Sequence, residues 1–346
     1  MTNGQALGRT AGLIAAGIVL LGIYFGSRGL KDFDTALVSY AAATVFSAFG
    51  LAYRLAIWLR RPPTWRYFVR GLALFFEPRR LPQNLVRGVR LLWDNLLAQK
   101  FIGRRSPLRW AAHACLFWGC MLAAAVTFPL SFGWIRFETP PDSQQLYDAY
   151  VFGVRVLRFP IDSLVGALVF NLLVISSALV MAGVFLALFR RARDRGELAV
   201  QDLETDLLPL ILLFAIAATG MLLSVSTRFM HGFNYTFLSQ FHAVTVIFTL
   251  LYLPFGKFFH IFQRPIQLTL DFYRRSAAEG TQARCLCCDQ PFAAELHIGD
   301  LKSVQAELGI RFRLASGEHY QDICPPCRRK NIALLQDGLW RAARRN

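Results

Sequence analysis

Five of the seven cysteines lie near the C-terminus, in Cys285-Leu286-Cys287-Cys288 and Cys324-Pro325-Pro326-Cys327. Two CxxC turns can each aim two sulfurs at one tetrahedral ion, so Cys285, Cys288, Cys324 and Cys327 are the expected ligands of a four-thiolate metal site. Cys287 is a surplus thiol that could replace Cys285. Zinc, as in a zinc ribbon, and iron, as in a rubredoxin-like site, both suit four thiolates. A module this small draws much of its folding energy from the ion. Cys115 and Cys120 sit in an apolar stretch and read as small core residues. His297 and His319 read as surface residues.

The other chemistry-bearing residues lie in or beside apolar stretches. His113, His242 and His260 fall inside them and His231 directly before one. Ionisable groups are costly in a bilayer, so each is a functional candidate. His242 and His260 are 18 residues apart. On one continuous helix that is five turns, which aims both rings the same way and separates them by about 27 Å, nearly the hydrocarbon thickness. That spacing suits redox centres near opposite membrane surfaces. His113 is expected at the depth of His260, and two neutral imidazoles can supply both axial ligands of a haem iron. Gly256, one turn earlier, would let a flat macrocycle approach the backbone, and Arg109 and Lys257 could neutralise its propionates. Asp162 is a candidate for handling protons near the outer surface.

The elements that must position these residues follow from composition. The chain has 346 residues, of which 55% are hydrophobic and 17% charged, yet its formal net charge is +16. A soluble domain carries roughly 25% charged residues, and a disordered chain far fewer apolar ones, so a polytopic membrane protein remains. Six stretches can span as helices: 10–29, 36–59, 108–133, 160–189, 207–226 and 237–262, the last containing Pro254. The segment from Arg60 to Arg109 holds twelve basic residues against Glu77 and Asp94, and Arg190, Arg191, Arg193 and Arg195 follow the fourth span. Both loops are therefore expected to be cytoplasmic, as are the N- and C-termini, with 134–159 and 227–236 outside. Within the long loop, Leu85 to Leu97 mixes apolar residues with Arg87, Arg90 and Lys100 at helical spacing. This predicts an interfacial helix, its basic face towards lipid headgroups or a partner subunit. The cysteine tail should combine small strands with a basic helix from Arg328 to Arg345. The fold expected is an all-α polytopic membrane bundle plus a small metal module. Its divisions are an added N-terminal spanning helix (1–35), the membrane bundle (36–263, with interfacial loop 60–107) and a cytoplasmic tail (264–346).

Phe241-His242-Ala243-Val244-Thr245-Val246-Ile247-Phe248 through Leu253-Pro254-Phe255-Gly256-Lys257-Phe258-Phe259-His260 resembles the last helix of the respiratory nitrate reductase gamma-subunit family. It is also similar to membrane cytochrome subunits of heterodisulfide-reductase-type complexes. Arg109-Trp110-Ala111-Ala112-His113 with Phe117-Trp118-Gly119 resembles that family's first ligand-bearing helix. The resemblance covers about 36–263 and implies one or two b-type haems, with ligands on the third and sixth spans of this chain. It departs at Ala123, where the family has a second histidine. The outer site then has His242 with His231 as a possible partner, or a quinol hydrogen-bonded to His242. The implied function is a cytochrome b subunit in a bacterial-type inner (plasma) membrane. It passes electrons between menaquinone or ubiquinone and cytoplasmic iron–sulfur or molybdenum subunits, in either direction. No soluble catalytic site is recognisable in the sequence, so the chain is expected to act as part of an oxidoreductase rather than as an enzyme alone, and its charge implies lipid rather than nucleic acid. A transporter and a metal-dependent membrane scaffold are the alternatives, although no inverted repeat is evident.

Overall fold

The computed structural model describes residues 2–194, 196, 199–314 and 317–343. Arg195 of the basic run and Arg344 and Arg345 of the basic tail lie outside the described residues. Among the described residues, six helices are long and apolar enough to cross a membrane: Gly4–Gly26, Thr35–Leu59, Pro107–Ser131, Leu164–Arg193, Leu203–Phe229 and Tyr235–Tyr252. Five match the spans expected from hydropathy to within a few residues. The sixth stops ten residues early, and the reason is local. Pro254 has no amide hydrogen to donate and its ring crowds the preceding turn. The helix ends at Tyr252, Gly256 is extended (φ −86°, ψ −166°), and a 3-10 turn over Lys257–Phe259 precedes a new helix at His260. His242 and His260 therefore do not share a helix, and the five-turn phase between them is lost.

The chain forms two compact units, 1–57 with 91–263, and 58–90 with 264–346. The expected division gave the whole loop 60–107 to the membrane bundle; instead, its first part belongs with the tail. The membrane unit contains α1 (Thr2–Gly26), α2 (Val38–Leu59), α6 (Pro107–Ser131), α7 (Leu164–Arg193), α8 (Leu208–Phe229) and α9 (Tyr235–Tyr252). Helix α6 starts at Pro107, where a missing amide hydrogen costs nothing, and the Ser106 hydroxyl accepts from the Arg109 amide. Small residues let α6 and α7 pack closely: a Cβ on Gly119 would lie 2.7 Å from Val180, and one on Gly183 2.8 Å from Leu116. The connection 134–160 is not irregular. It forms an antiparallel sheet of β1 (Ile135–Glu138), β2 (Leu146–Val151) and β3 (Val154–Pro160), so the fold is mostly helical rather than all-α. Arg158 ties the sheet through paired bonds of 2.7 and 2.9 Å to Asp148, and this hydrogen bonding holds the carboxyl below its usual range.

The second unit begins with α3 (Pro62–Phe75) and α4 (Leu81–Leu92). A short α5 (Lys100–Gly103) belongs to the membrane unit, and α10 (His260–Gln267) carries the chain out of it. Then follow α11 (Thr269–Glu279), β4 (Gln282–Arg284), β5 (Pro291–Ala294), α12 (Glu295–Glu307) and α13 (Pro325–Ala343). The sequence reading missed α12, which lies between the two CxxC pairs. The loop helices are fastened to the tail helices. A Cβ at Gly71 would lie 2.4 Å from the Thr269 carbonyl oxygen, so only glycine permits α3 to cross α11 there. Asp300 of α12 is fully buried and accepts from Arg70 Nε at 2.9 Å, with Arg66 Nη1 at 3.9 Å. The Tyr273 hydroxyl donates to the same carboxylate at 3.0 Å. Burial, then that bond, raises the phenol's pKa, so it keeps its proton. Arg87 pairs with Asp271, and Arg80 with Glu279. Of the residues expected on the basic face of an interfacial helix, towards headgroups or a partner subunit, Arg87 instead pairs with the tail.

Removing the buried Asp300 carboxylate frees Arg66 and Arg70, which reach solvent, and leaves the buried Tyr273 hydroxyl without its acceptor, at about 1–3 kcal/mol. Asp300→Ala is therefore expected to loosen the second unit, seen as faster tryptic cleavage within 264–343 of the full chain. Cleavage at the wild-type rate would show that Asp300 does not fasten the two segments.

Candidate functional site

Strands β4 and β5 pair antiparallel and present the first CxxC on the turn between them. The second CxxC is held where α13 begins, and Cys285, Ile323 and Cys324 form a small buried core against Phe292, Leu314 and Cys327. The sulfurs of Cys285, Cys288, Cys324 and Cys327 all lie within 4.8 Å of one another. Cys288 and Cys324 are 3.7 Å apart. A tetrahedral ion with metal–sulfur bonds of about 2.3 Å needs sulfur separations of about 3.8 Å, so the cluster fits one ion. Backbone amides of Cys324 (3.2 Å) and Cys287 (3.4 Å) point at Cys285 Sγ. Burial opposes ionisation of this thiol, but the amides of Cys324, Cys287 and Cys288 outweigh it and bring its pKa down to about 6. Cys327 is pushed up to about 12 by hydrogen bonds with the neighbouring thiols, first Cys324. One thiolate forms readily, and a cation is what would allow four. Cys287 stands outside the cluster and is exposed. His319 accepts from the Gln321 amide, and the His297 ring stacks on Tyr67; neither joins the sulfurs.

In the membrane unit, His113 and His260 come together, with ring centroids 6.3 Å apart and planes at 63°. Their second nitrogens are anchored. His113 Nδ1 lies 2.9 Å from Gln99 Oε1, and His260 Nδ1 bonds the Lys257 carbonyl oxygen. A carbonyl oxygen only accepts, so both rings carry their proton on Nδ1 and a lone pair on Nε2. Gln99 is the residue that sequence reasoning missed. It is 2% exposed and left-handed (φ 51°, ψ 39°), directly after a π-helical turn at Trp93–Leu97. A non-glycine residue in that conformation carries strain, and here it aims a buried amide at a histidine. No sequence signal marks such a turn.

The helix break behind His260 is also supported by a residue the motif reading passed over. Arg54 of α2 donates to the carbonyl oxygens of Pro254 (2.5 Å) and Phe255 (2.7 Å), and its guanidinium lies 4.4 Å from the Phe259 ring centroid. A lone arginine inside an expected span was the available signal. Two expected roles change. A Cβ at Gly256 would lie 2.1 Å from the Tyr252 ring, so that glycine makes room for Tyr252, not for a macrocycle. The Lys257 ammonium pairs with Asp206 rather than lying open to a propionate. Arg109 is exposed and one turn before His113 on α6.

His242 stands apart from that pair. Thr219 Oγ1 donates to the Ala215 carbonyl at 2.7 Å and so accepts from His242 Nδ1 at 2.8 Å. The ring packs over Gly220, whose missing side chain leaves room for it. His231 is exposed on a turn (φ 51°), and no contact joins it to His242 among the described residues. Asp162 is exposed in the turn before the Ser163 cap of α7 and touches no histidine there. No protein-family model matches the chain, and no curated protein or solved structure matches it.

The sulfur geometry gives a direct expectation for the cysteine cluster. Elemental analysis of the purified chain should find one tightly held ion. Cys285→Ser or Cys324→Ser should release it, whereas Cys287→Ser should retain it. Loss in the Cys287 variant alone would make Cys287 the ligand in place of Cys285.

Proposed function

We propose that this protein is a membrane cytochrome b subunit, with His113 and His260 as the two axial ligands of a haem b. The observation that carries the reading is the His113–His260 pair. Metal–imidazole bonds of about 2 Å on opposite sides of one ion place ring centroids roughly 6 Å apart, against the 6.3 Å found. Two rings on one axis can take any rotation about it, so their mutual angle of 63° is compatible. Gln99 and the Lys257 carbonyl fix the tautomer that a ligand needs, as outer-shell partners of metal-bound histidines do. Arg109, on the His113 side of α6, is placed to meet a propionate. Haem supplies one-electron transfer when bound, and the chain's contribution is to hold and orient it. The resemblance to nitrate reductase gamma subunits supports the same reading.

His242 is the second element of the proposal. No other histidine accompanies it, and Ala123 offers no ligand, which favours one haem and a quinol over two haems. The Nε2 lone pair that Thr219 leaves on His242 is suited to accept a quinol hydroxyl proton. The four-cysteine cluster holds zinc in this reading, because four thiolates at tetrahedral spacing within a small module suit a structural ion. With N- and C-termini cytoplasmic, electrons pass between membrane quinone and cytoplasmic iron–sulfur or molybdenum subunits. A scaffold role leaves the anchored histidine pair unexplained.

Reduced-minus-oxidised spectra of the chain expressed with sufficient haem test this. The expected outcome is one b-type haem per chain, absent in His113→Ala and in His260→Ala and retained in His242→Ala. Gln99→Ala is expected to keep the haem with affinity reduced about tenfold or more. Wild-type protein lacking haem, or both ligand variants retaining it, refutes the assignment.

A further inference from the structure

The loop helices α3 and α4 have two faces with different fates. Their inward faces are spoken for: Arg66 and Arg70 reach Asp300, Gly71 meets Thr269, and Arg87 reaches Asp271. Their outward faces are apolar and uncovered. On α3 and its C-cap, Trp65, Val69, Leu72 and Phe76 recur every three or four residues and are 37–58% exposed. On α4, Val86 and Val89 are 71% and 67% exposed. A water-facing domain does not ordinarily leave such a stripe open.

The occupant is constrained by the chain itself. Spanning helix α2 ends at Leu59 and α3 begins at Pro62, joined through Arg60 and Arg61. At about 3.5 Å per residue, that joint lets α3 start no more than about 10 Å from the end of α2. The stripe must therefore begin at the membrane surface. Beside it, Arg61, Arg79 and Arg90 are exposed and form no ion pair among the described residues, and Arg60 lies 4.9 Å over the Trp65 ring. Unpaired arginines bordering an apolar stripe match an anionic phospholipid leaflet, where each cation contributes about 1 kcal/mol. We propose that α3 and α4 lie in the headgroup–acyl boundary of an anionic leaflet, apolar faces inward to the lipid, and that the Asp300 clamp thereby fastens the four-cysteine module to the membrane surface. This inverts the sequence expectation, in which the basic face of a single helix met the headgroups or a partner subunit.

The test uses the full chain in nanodiscs of phosphatidylglycerol and phosphatidylcholine. A benzoylphenylalanine is placed singly at Leu72, Val86 or, off the stripe, Gln83, and photolysed. Lipid adducts at least fivefold more abundant at Leu72 and Val86 than at Gln83 are expected, falling at least threefold when phosphatidylglycerol is omitted. Equal yields at all three sites, or no lipid adduct at Leu72 and Val86, would overturn the proposal. So would adducts in native membranes that join these two positions to another protein. Yields at Leu72 and Val86 that do not fall without phosphatidylglycerol would remove its anionic component.

Discussion

A helix that stops leaves carbonyl groups without amide partners, and the site in the membrane unit depends on how this is resolved where the sixth spanning helix ends. Pro254 cannot donate to the Leu250 carbonyl, and the helix ends at Tyr252. Ser47 donates to the Leu250 carbonyl, and Arg54 donates to those of Pro254 and Phe255 with its guanidinium over the Phe259 ring. With the break stabilised, the 3-10 turn at Lys257–Phe259 presents its first carbonyl to His260 Nδ1, and Asp206 holds the same turn through Lys257. His260 thus starts a new helix in an orientation that a continuous helix from His242 could not give it. The cost of breaking the helix is met by side chains that, in the proposed reading, also set the ligand.

The partner histidine is prepared by a second irregularity. A π-helical turn and a left-handed Gln99 place a buried amide against His113. Local strain is retained where surrounding structure over-determines it, and Gln99 at 2% exposure is so enclosed. Both imidazoles are therefore oriented from outside their own helices. The second unit follows a different logic. Its excess arginines are neutralised in part by Asp271, Glu279 and Asp300, and a net charge of +16 becomes, locally, the means of joining loop to tail.

Much of this was legible in the sequence, and the limits are physical. The spans could be read because twenty-odd apolar residues have few other fates. The cysteine cluster could be read because CxxC spacing leaves little freedom in where the sulfurs go. His113 and His260 are paired in the sequence by depth and by the family resemblance, and the structure brings them together although they do not share the helical phase that relates His260 to His242. Pro254 is visible within the sixth stretch, but whether a proline kinks or ends a helix depends on what meets the freed carbonyls, here Ser47 at Leu250 and Arg54 at Pro254 and Phe255, from a helix two hundred residues earlier. Gly256, one turn before His260, and Lys257, at the same depth, are expected in the sequence beside a cofactor; in the structure Gly256 packs on Tyr252 and Lys257 pairs with Asp206. The β-sheet of 135–160, with its alternation weak and its strands short, left no clear pattern. Gln99 had none at all, since its role arises from a backbone conformation that its own type does not favour.

The most direct test of the central claim is electron paramagnetic resonance of the oxidised, purified chain. Two axial imidazoles give a low-spin ferric signal, and the account predicts that signal in the wild type, shifted in Gln99→Ala and absent from both His113→Ala and His260→Ala. A high-spin signal in the wild type, or a low-spin signal that persists in either histidine variant, would contradict the pairing of His113 with His260 on one iron.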